Sequence, residues 1–270
     1  LALETLKLQN YTPQDRNIKK AKVQEERSIA YLELDQESTS NLILNANRAY
    51  TTEINDILLT ALSRALTKLT NSPTNHIILE GHGREESIAK NVDISNTVGW
   101  FTSMYPVKLT SSSNLSHDII ITKENLRKVP HHGLGFGALF GYNTDELPKV
   151  SFNYLGQLDN SLNQDAISVK DMGSNTIWSI SSESSGNSFN SSNGDNNLIN
   201  INGSVQSGKL RFSIVTVLGQ ENTNRFKAEF ENALLEIIKH NVSQDRSYLT
   251  ASDISYVVDQ DYLDQIQQEK

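Results

Sequence analysis

One long amphipathic helix followed at once by a buried strand constrains the fold more than any other feature of this 270-residue sequence. The stretch TTEINDILLTALSRALTKLT repeats apolar residues at the spacing of one helical face, with Thr51 or Thr52 as the predicted N-cap. The segment TNSPTN breaks the helix, and HIILE then predicts a buried strand that ends at Glu80. A helix that leads directly into a strand predicts a layered α/β or α+β domain.

The remaining periodic stretches predict more helices and strands. Strands are predicted in SIAYLELDQ, in TVGWFTSMYPVKL as far as Pro106, in VSFNYLGQL, and as a hairpin in LININGSVQSGKLRFSIVTV. In SIAYLELDQ the apolar alternation is carried by Ile29 and Tyr31, and less cleanly by Leu32 and Leu34. Helices are predicted in STSNLILNANRAY, SHDIIITKENLRKV and NRFKAEFENALLEIIKHN. Residues 11–28 are expected to form a polar linker or surface segment, and the Ser-, Asn- and Gly-rich residues 180–198 a mobile loop.

The composition argues against several classes of function. A net charge of −8 offers no large basic surface for nucleic acid. The absence of Cys removes disulfides, thiolate nucleophiles and Cys-type zinc or iron–sulfur sites. No apolar run approaches the roughly 18 residues that span a bilayer, so no membrane association is expected and a cytoplasmic location is compatible.

The stretch IILEGHGREE, at 77–86, carries the strongest chemical signal. Glu80 follows an apolar run, so its carboxylate is expected at a strand end, where partial desolvation raises the pKa and allows proton exchange near neutral pH. Arg84 provides the alternative interpretation, a salt bridge that holds Glu80 ionised. The spacing by itself favours this structural role over a catalytic one.

Two further stretches have both a chemical and a structural interpretation. In HHGLGFG, at 131–137, adjacent His side chains point apart and the glycine spacing departs from that of a dinucleotide-binding loop, which favours a glycine-rich turn over a metal or nucleotide site. Trp100, Phe101 and Tyr105 are expected in the core or on the wall of a cleft. Tyr154, in FNYLGQ, is interpreted as a buried tyrosine or as a proton donor to an oxyanion.

Read together, these stretches resemble the later motifs of epimerization domains of nonribosomal peptide synthetases. In order they are NDILLTAL at 55–62, EGHGRE at 80–85, NTVGWFTSMYPVKL at 96–109, PHHGLGFG at 130–137, FNYLGQ at 152–157 and LTASD at 249–253. Condensation domains of the same superfamily share the fold but normally lack the EGHGRE and GWFTSMYP sequence motifs. The ordered set therefore favours the epimerization branch.

The resemblance implies a chloramphenicol-acetyltransferase-like α/β fold, in which two lobes face each other across a V-shaped channel. In this interpretation residues 1–28 are a connecting segment from a missing N-terminal lobe, 29–254 are the C-terminal lobe, and 255–270 are an acidic tail and possible docking helix. The partner is a peptidyl carrier protein, which presents an aminoacyl or peptidyl thioester on its phosphopantetheine arm. The domain itself is expected to need neither a cofactor nor a metal.

The implied reaction removes and returns the proton on the carbon α to the thioester, which interconverts the L and D configurations. Such chemistry needs an acid or base on each face and stabilisation of an enolate-like intermediate. The resemblance assigns Glu80 as one acid/base group, with Arg84 shaping the charge around it and Tyr154 as a further candidate. His82 belongs to the same motif and is expected to have a structural role.

The family's His-His-x-x-x-Asp-Gly motif is absent from these 270 residues. His131 and His132 do not replace it, because no Asp-Gly follows them at the required spacing. The chain also opens in a polar stretch without Met, so we expect a longer protein whose N-terminal lobe supplies the second catalytic group. On loaded carrier protein, little α-proton exchange is expected from the 270 residues alone, and activity is expected once the upstream part is restored.

Two other functions stay open at the level of sequence. The first is a non-catalytic docking module, in which the lobe and its tail DQDYLDQIQQEK hold a carrier protein or a downstream synthetase subunit. The plain alternative for that tail is a frayed, solvated helix. The second is a condensation-type domain, whose product would be a new amide bond instead of an exchanged α proton.

Overall fold

A six-stranded mixed sheet organises the part of the chain that the structure describes. The structure, a computed structural model, describes residues 26–85, 88, 93–94, 96–141, 147–158 and 197–268. Most of the predicted connecting segment 1–28 and of the predicted loop 180–198 lies outside these ranges. The strands are β1 Ser28–Glu33, β2 Thr74–Gly81, β3 Ser103–Thr110, β4 Val150–Gln157, β5 Ile199–Gln206 and β6 Lys209–Thr216. They lie in the order β1-β6-β5-β4-β2-β3, in which β4 runs parallel to β2 and β5 and the other neighbours are antiparallel.

The helices agree with the predicted periodicity. They are α1 Gln36–Ser40, which continues as a π-helical turn over Asn41–Asn45, α2 Ile54–Thr70, α3 Leu115–Arg127, α4 Phe136–Phe140, α5 Gln220–Val242 and α6 Gln260–Gln268, with 3₁₀ turns at Pro130–Gly133 and Ala251–Ile254. The predicted N-cap of α2 is wrong. Glu53 caps this helix instead, in a capping box with Asp56. Within the described ranges no helix has both the length and the apolar character needed to cross a membrane.

Strand alternation gives the sheet one apolar face and one polar face. The residues on the apolar face pack with α2 and α5 into one core, which includes Leu32, Leu79, Phe152, Phe212 and Phe230. Because successive strand residues point to opposite faces, their neighbours along each strand lie on the other side. The mixed sheet with helices packed on it confirms the predicted α/β class.

Two details of the strand predictions are wrong. Ile29 and Tyr31 were expected to be the apolar side of β1, but both are exposed and Ala30 and Leu32 are buried instead. Pro106 was expected to end its strand, yet it lies inside β3, opposite Ile78 of β2. Proline is compatible with an edge strand such as β3, where the backbone N–H groups on the outer side have no strand partner among the described residues.

Buried charges tie α3 to the rest of the domain. The ammonium of Lys123 lies 2.7 Å from both carboxylate oxygens of Asp253 and donates to the carbonyl oxygen of Tyr50 at 2.8 Å. One turn earlier, the buried Asp118 accepts a hydrogen bond of 2.8 Å from Arg64. Asp253 belongs to the LTASD stretch, so this stretch has a structural partner in the core helix layer.

Candidate active site

Glu80 lies on the polar face of the sheet, at the end of β2. This surface, called here the open face, is formed by Tyr31, Asn202, Arg211, Asn153 and Glu80, which are half-exposed or exposed. Ile77 and Leu79 of the same strand are buried in the core on the other side. The strand therefore carries the carboxylate of Glu80 to a position between apolar packing and solvent.

An amide is the partner of the Glu80 carboxylate. Asn153 Nδ2 donates to Glu80 Oε2 at 3.0 Å, across the parallel pair of β2 and β4. Within the described residues Oε1 of Glu80 has no hydrogen-bond partner. Burial raises the pKa of Glu80 above the ordinary value of a glutamate, and no cation among the described residues opposes that shift. The site therefore holds a carboxyl group that can take up or release a proton nearer neutral pH than an exposed glutamate can.

Asn153 was missed at the level of sequence, although a signal was present. It directly precedes Tyr154 in FNYLGQ, and in β4 it alternates with the buried Phe152, so it had to face away from the core. What the sequence does not show is that β2 and β4 are neighbours. That pairing alone brings Asn153 beside Glu80.

Arg84 does not pair with Glu80 in the described part of the chain. Its guanidinium donates to the carbonyl oxygens of Ile94 at 2.7 Å and Thr97 at 2.9 Å. It also lies 4.2 Å from the ring centre of Phe101, a cation–π distance. Arg84 thus fastens the loop before β3 to the loop after β2, and the salt bridge considered from the sequence is not formed.

Tyr154 lies on the other face of the sheet. It packs against the core, and burial raises the pKa of its hydroxyl to about 12. The strand alternation that puts Asn153 beside Glu80 points Tyr154 to the helix side. Its predicted role near the reaction intermediate therefore rests on the resemblance alone.

The loop before β3 exposes two apolar side chains. Trp100 is 91% exposed and Val98 is 99% exposed, so Trp100 does not belong to the core of the described chain. Tyr105, from the same motif, is buried as expected. Gly83 is required at the base of this loop, because it has a φ of +68° and an added Cβ would overlap the carbonyl oxygen of Phe101.

Comparison with known families decides the ancestry of this fold. The family model described as "Condensation domain" matches residues 3–256. The chain belongs to the condensation-domain family. This membership agrees with the chloramphenicol-acetyltransferase-like fold that was expected, and the solved structures below confirm that fold.

Relatives of this condensation-family domain are segments of much larger proteins. Gramicidin S synthase 1 of Brevibacillus brevis is 39% identical over 92% of this chain and 24% of its own length. Bacitracin synthase 3 of Bacillus licheniformis is 37% identical over 88% of this chain and 4% of its own length. The chain thus spans a quarter or less of these two relatives.

Solved structures from the condensation-domain family share the fold. The epimerization domain from the third module of tyrocidine synthetase B superimposes with a TM-score of 0.69 at 29% identity, covering 89% of this chain and 56% of that one. The first condensation domain of the CDA synthetase gives a TM-score of 0.56 at 13% identity, covering 89% of this chain and 52% of that one. The second likeness concerns the fold alone.

A groove of about 450 Å³ crosses the open face of this condensation-family domain. It lies on β1, β6, β5 and β4, the strands to one side of β2. It runs from Tyr31 on β1 past Arg211 and Asn202 to Leu155 on β4, the strand next to β2. The groove does not include Glu80 itself. In the part of the chain that the structure describes, no three His, Cys, Asp or Glu residues converge as a metal site.

Proposed function

We propose that this chain takes part in the epimerization of an aminoacyl or peptidyl thioester at its α-carbon, with Glu80 as one acid/base group. The observation that carries the proposal is the state of Glu80. It is half-buried on the open face, its pKa is raised by burial, and it is hydrogen-bonded to an amide and not to a cation. The 29% identity to an epimerization domain supports the same reaction.

The proposed chemistry uses one oxygen of Glu80 for the proton and the other for positioning. Asn153 holds Oε2, which leaves Oε1 for the proton on the substrate α-carbon. The carboxylate takes this proton, the electron pair of the C–H bond moves into an enolate of the thioester, and a proton is returned to the opposite face. A raised pKa suits this task because proton transfer is most efficient when the pKa of the base lies near the working pH.

The second acid/base group is proposed to lie outside the 270 residues. An inversion needs proton donors and acceptors on both faces of the α-carbon, whereas the described part of the open face offers Glu80 on one side. The chain covers 56% of the tyrocidine epimerization domain. We therefore assign residues 29–254 to a C-terminal lobe, with Glu80 facing a second lobe that carries the His-His-x-x-x-Asp-Gly motif.

The substrate is brought by a partner. Condensation-family domains carry no cofactor of their own and act on groups attached to the phosphopantetheine of a carrier domain. The match to multidomain synthetases supports a carrier domain and neighbouring synthetase domains as partners. The direct test of the proposed function uses the chain with its upstream lobe restored: a carrier domain is loaded with an L-aminoacyl group, and D-product and the exchange of the α proton with solvent deuterium are measured.

Removing the amide beside Glu80 is expected to shift the pH dependence of that reaction. In Asn153→Ala the carboxylate loses a hydrogen-bond donor, so its ionised form is less stable and its pKa rises further. The base form then appears only at higher pH, and the acidic limb of kcat/KM should move upward by about one pH unit. The measurement is α-proton exchange from pH 5 to 9.

Ser151→Ala is the matched control for this prediction. Ser151 lies on the same face of β4, two residues before Asn153, and pairs with Ile78 instead of Glu80. The acidic limb of kcat/KM should stay at the same pH in this variant as in the parent protein. An acidic limb that does not move in a folded Asn153→Ala variant would contradict the assignment of Glu80 as the titrating base.

A condensation-type reaction is the alternative within the same family. The family model and the fold are common to both activities, so the product decides between them. Amide bond formation between two loaded carrier domains, with no exchange of the α proton, would replace the epimerization proposal.

Residues 255–270 are proposed to dock a partner subunit. The helix α6 is fixed to the preceding segment because Gln267 binds both backbone groups of Leu249 at 3.0 Å and Gln260 accepts from the N–H of Ala251 at 2.9 Å. Tyr262 and Ile266 remain exposed, four residues apart on one helical face. Acidic residues beside this pair suit a partner segment that is both apolar and basic.

Deleting residues 259–270 is expected to weaken binding to the downstream synthetase subunit. The finer variant Tyr262→Ala with Ile266→Ala removes the exposed pair and leaves the contacts of Gln260 and Gln267 in place, and we expect about a 10-fold loss of affinity. Calorimetric titration with the partner subunit is the measurement. Gln265→Ala is the control, and unchanged affinity after the deletion would dismiss the docking role.

A further inference from the structure

Glu85 lies between two histidines from different loops. Its side chain is only 10% exposed, and its Oε1 lies 3.3 Å from His82 Nε2 and 3.0 Å from His132 Nδ1. Neither nitrogen is aligned well enough for a hydrogen bond, since Oε1 is buried without a hydrogen-bond partner. Two imidazole nitrogens thus lie within ion-pair distance of one largely buried carboxylate oxygen. These three residues are called here the Glu85 clasp.

A backbone hydrogen bond and unusual backbone dihedral angles fix the positions of the two imidazole rings. The N–H of Arg84 donates to His82 Nδ1 at 3.0 Å, which turns the Nε2 side of the ring toward Glu85. His131 and His132 both have a φ of +46°, a left-handed conformation that is unfavourable for residues other than glycine. Such strain persists only where surrounding contacts hold it. The contact of His132 with Glu85 is one that holds it.

The clasp lies at the place where β2 ends and β3 begins. Gly81 is the last residue of β2 and pairs with Ser103, the first of β3. A side chain at Gly81 would meet Ser103 Oγ at 2.9 Å and the carbonyl oxygen of His132 at 3.3 Å, so the turn that carries His132 packs directly on this strand end. The charge of Glu85 also reaches Tyr105, where it adds to burial in raising the pKa of the phenol to about 12.

Strand ends fray unless they are tied down, and Glu80 is one residue from such an end. Glu80 pairs with Met104 of β3 on one side, and its carboxylate accepts from Asn153 of β4 on the other. The covalent path from Glu80 to Glu85 is five residues long and contains two glycines, so it does not restrain the strand by itself. Arg84 ties this segment to the loop before β3, and the clasp ties it to the turn 130–133 as well.

We propose that Glu85, held by His82 and His132, is a positioning residue that prevents fraying of β2 and so keeps the Glu80 carboxylate in place for proton transfer. The inference rests on the proposed function for its effect on turnover, but not for its effect on the strand. The EGHGRE stretch contributes His82 and Glu85 to the clasp and the PHHGLGFG stretch contributes His132, so both stretches serve to position Glu80.

Hydrogen–deuterium exchange in the natural chain that contains this domain tests the effect on the strand. Glu85→Gln keeps the shape of the side chain and removes its charge, and His132→Asn removes the imidazole while tolerating a positive φ. In both variants the peptide that contains Glu80 and Gly81 should exchange about 10-fold faster, while α5 stays protected. Because both changes break the same clasp, the double variant should exchange no faster than the faster single one.

Glu33→Gln is the matched control. Glu33 also ends a strand, β1, and also contacts two basic groups, Lys209 and Arg211, each at 2.7 Å. Its loss should leave the exchange of β2 unchanged. Unchanged exchange at Glu80 and Gly81 in both clasp variants, or fully additive effects in the double variant, would overturn the clasp.

Turnover separates this inference from the proposed function. With a loaded carrier domain, Glu85→Gln should lower kcat about 10-fold and leave KM for the carrier unchanged, because the clasp acts on the position of the Glu80 carboxylate. Faster exchange without a fall in kcat, in a protein that needs Glu80, would overturn the positioning role. If Glu80→Gln is itself fully active, the proposed function fails, and the exchange experiment still decides whether the clasp holds the strand.

Discussion

Glu80→Gln is expected to reduce α-proton exchange on a loaded carrier domain by about 10² to 10⁴-fold, the usual contribution of a general acid or base. Glutamine keeps the size of the side chain and an acceptor oxygen for Asn153, but it cannot take up a proton. The loss should therefore appear in kcat with little change in KM for the loaded carrier. Single-turnover exchange by the chain with its upstream lobe restored, measured by mass spectrometry, is the assay.

The same variant is expected to be as stable as the parent protein or more stable. Burial raises the pKa of Glu80 in the folded state above the value of 4.5 that serves as reference for an exposed glutamate. Between these two pKa values the folded chain binds more protons than the unfolded chain, so stability falls as pH rises through that window and stays lower above it. Glutamine removes this penalty.

A stable but inactive Glu80→Gln protein thus separates catalysis from folding. Glu37→Gln, an exposed change in α1, is the control and should alter neither property. Exchange at the parent rate by a folded Glu80→Gln protein would remove Glu80 from the mechanism.

Asp253→Ala is expected to lower the free energy of unfolding by about 3 to 5 kcal/mol, which is typical for one partner removed from a buried ion pair. The side chain of Lys123 is 1% exposed, so its ammonium would remain in the protein interior without a counter-ion. Asp253 also accepts from the N–H of Thr250 at 2.8 Å, and the variant loses that capping contact too. Urea unfolding followed by circular dichroism measures the loss.

Two controls identify the cause of that loss. Glu231→Ala breaks the half-exposed pair with Lys227 on α5, where the expected change is below about 0.5 kcal/mol. Lys123→Met combined with Asp253→Leu removes both buried charges and should recover much of the stability. If Asp253→Ala costs no more than Glu231→Ala, burial of the pair is not the source of its effect.

The fold was predictable where one physical signal dominated. The apolar stripe of α2, the short apolar run of β2 and the Ser207–Gly208 turn between β5 and β6 each determine their own local structure, and all three are present. Pro106 and the apolar residues of β1 misled the prediction, because their environment depends on which strands lie at the edges of the sheet. Edge positions follow from tertiary pairing, which local patterns do not encode.

The site was predictable in its chemistry but not in its contacts. The end of an apolar run was enough to place Glu80 at a half-buried strand end with a raised pKa. Its partner Asn153 is 73 residues away along the chain. Arg84, only four residues away, binds carbonyl groups of a loop instead. Proximity in sequence favoured the wrong partner because a strand and the loop after it point their side chains in unrelated directions.

The position of β1 has a consequence for synthesis on the ribosome. This strand is at the edge of the sheet, and its partner in the sheet is β6, with Ser28 opposite Thr216. At usual bacterial or eukaryotic elongation rates, β1 would wait about 10 to 40 s before β6 is translated. Until then the apolar residues of β1 are not buried against the completed sheet. Nascent chains halted before Thr216 should therefore be bound by chaperones, and those halted beyond α5 should not.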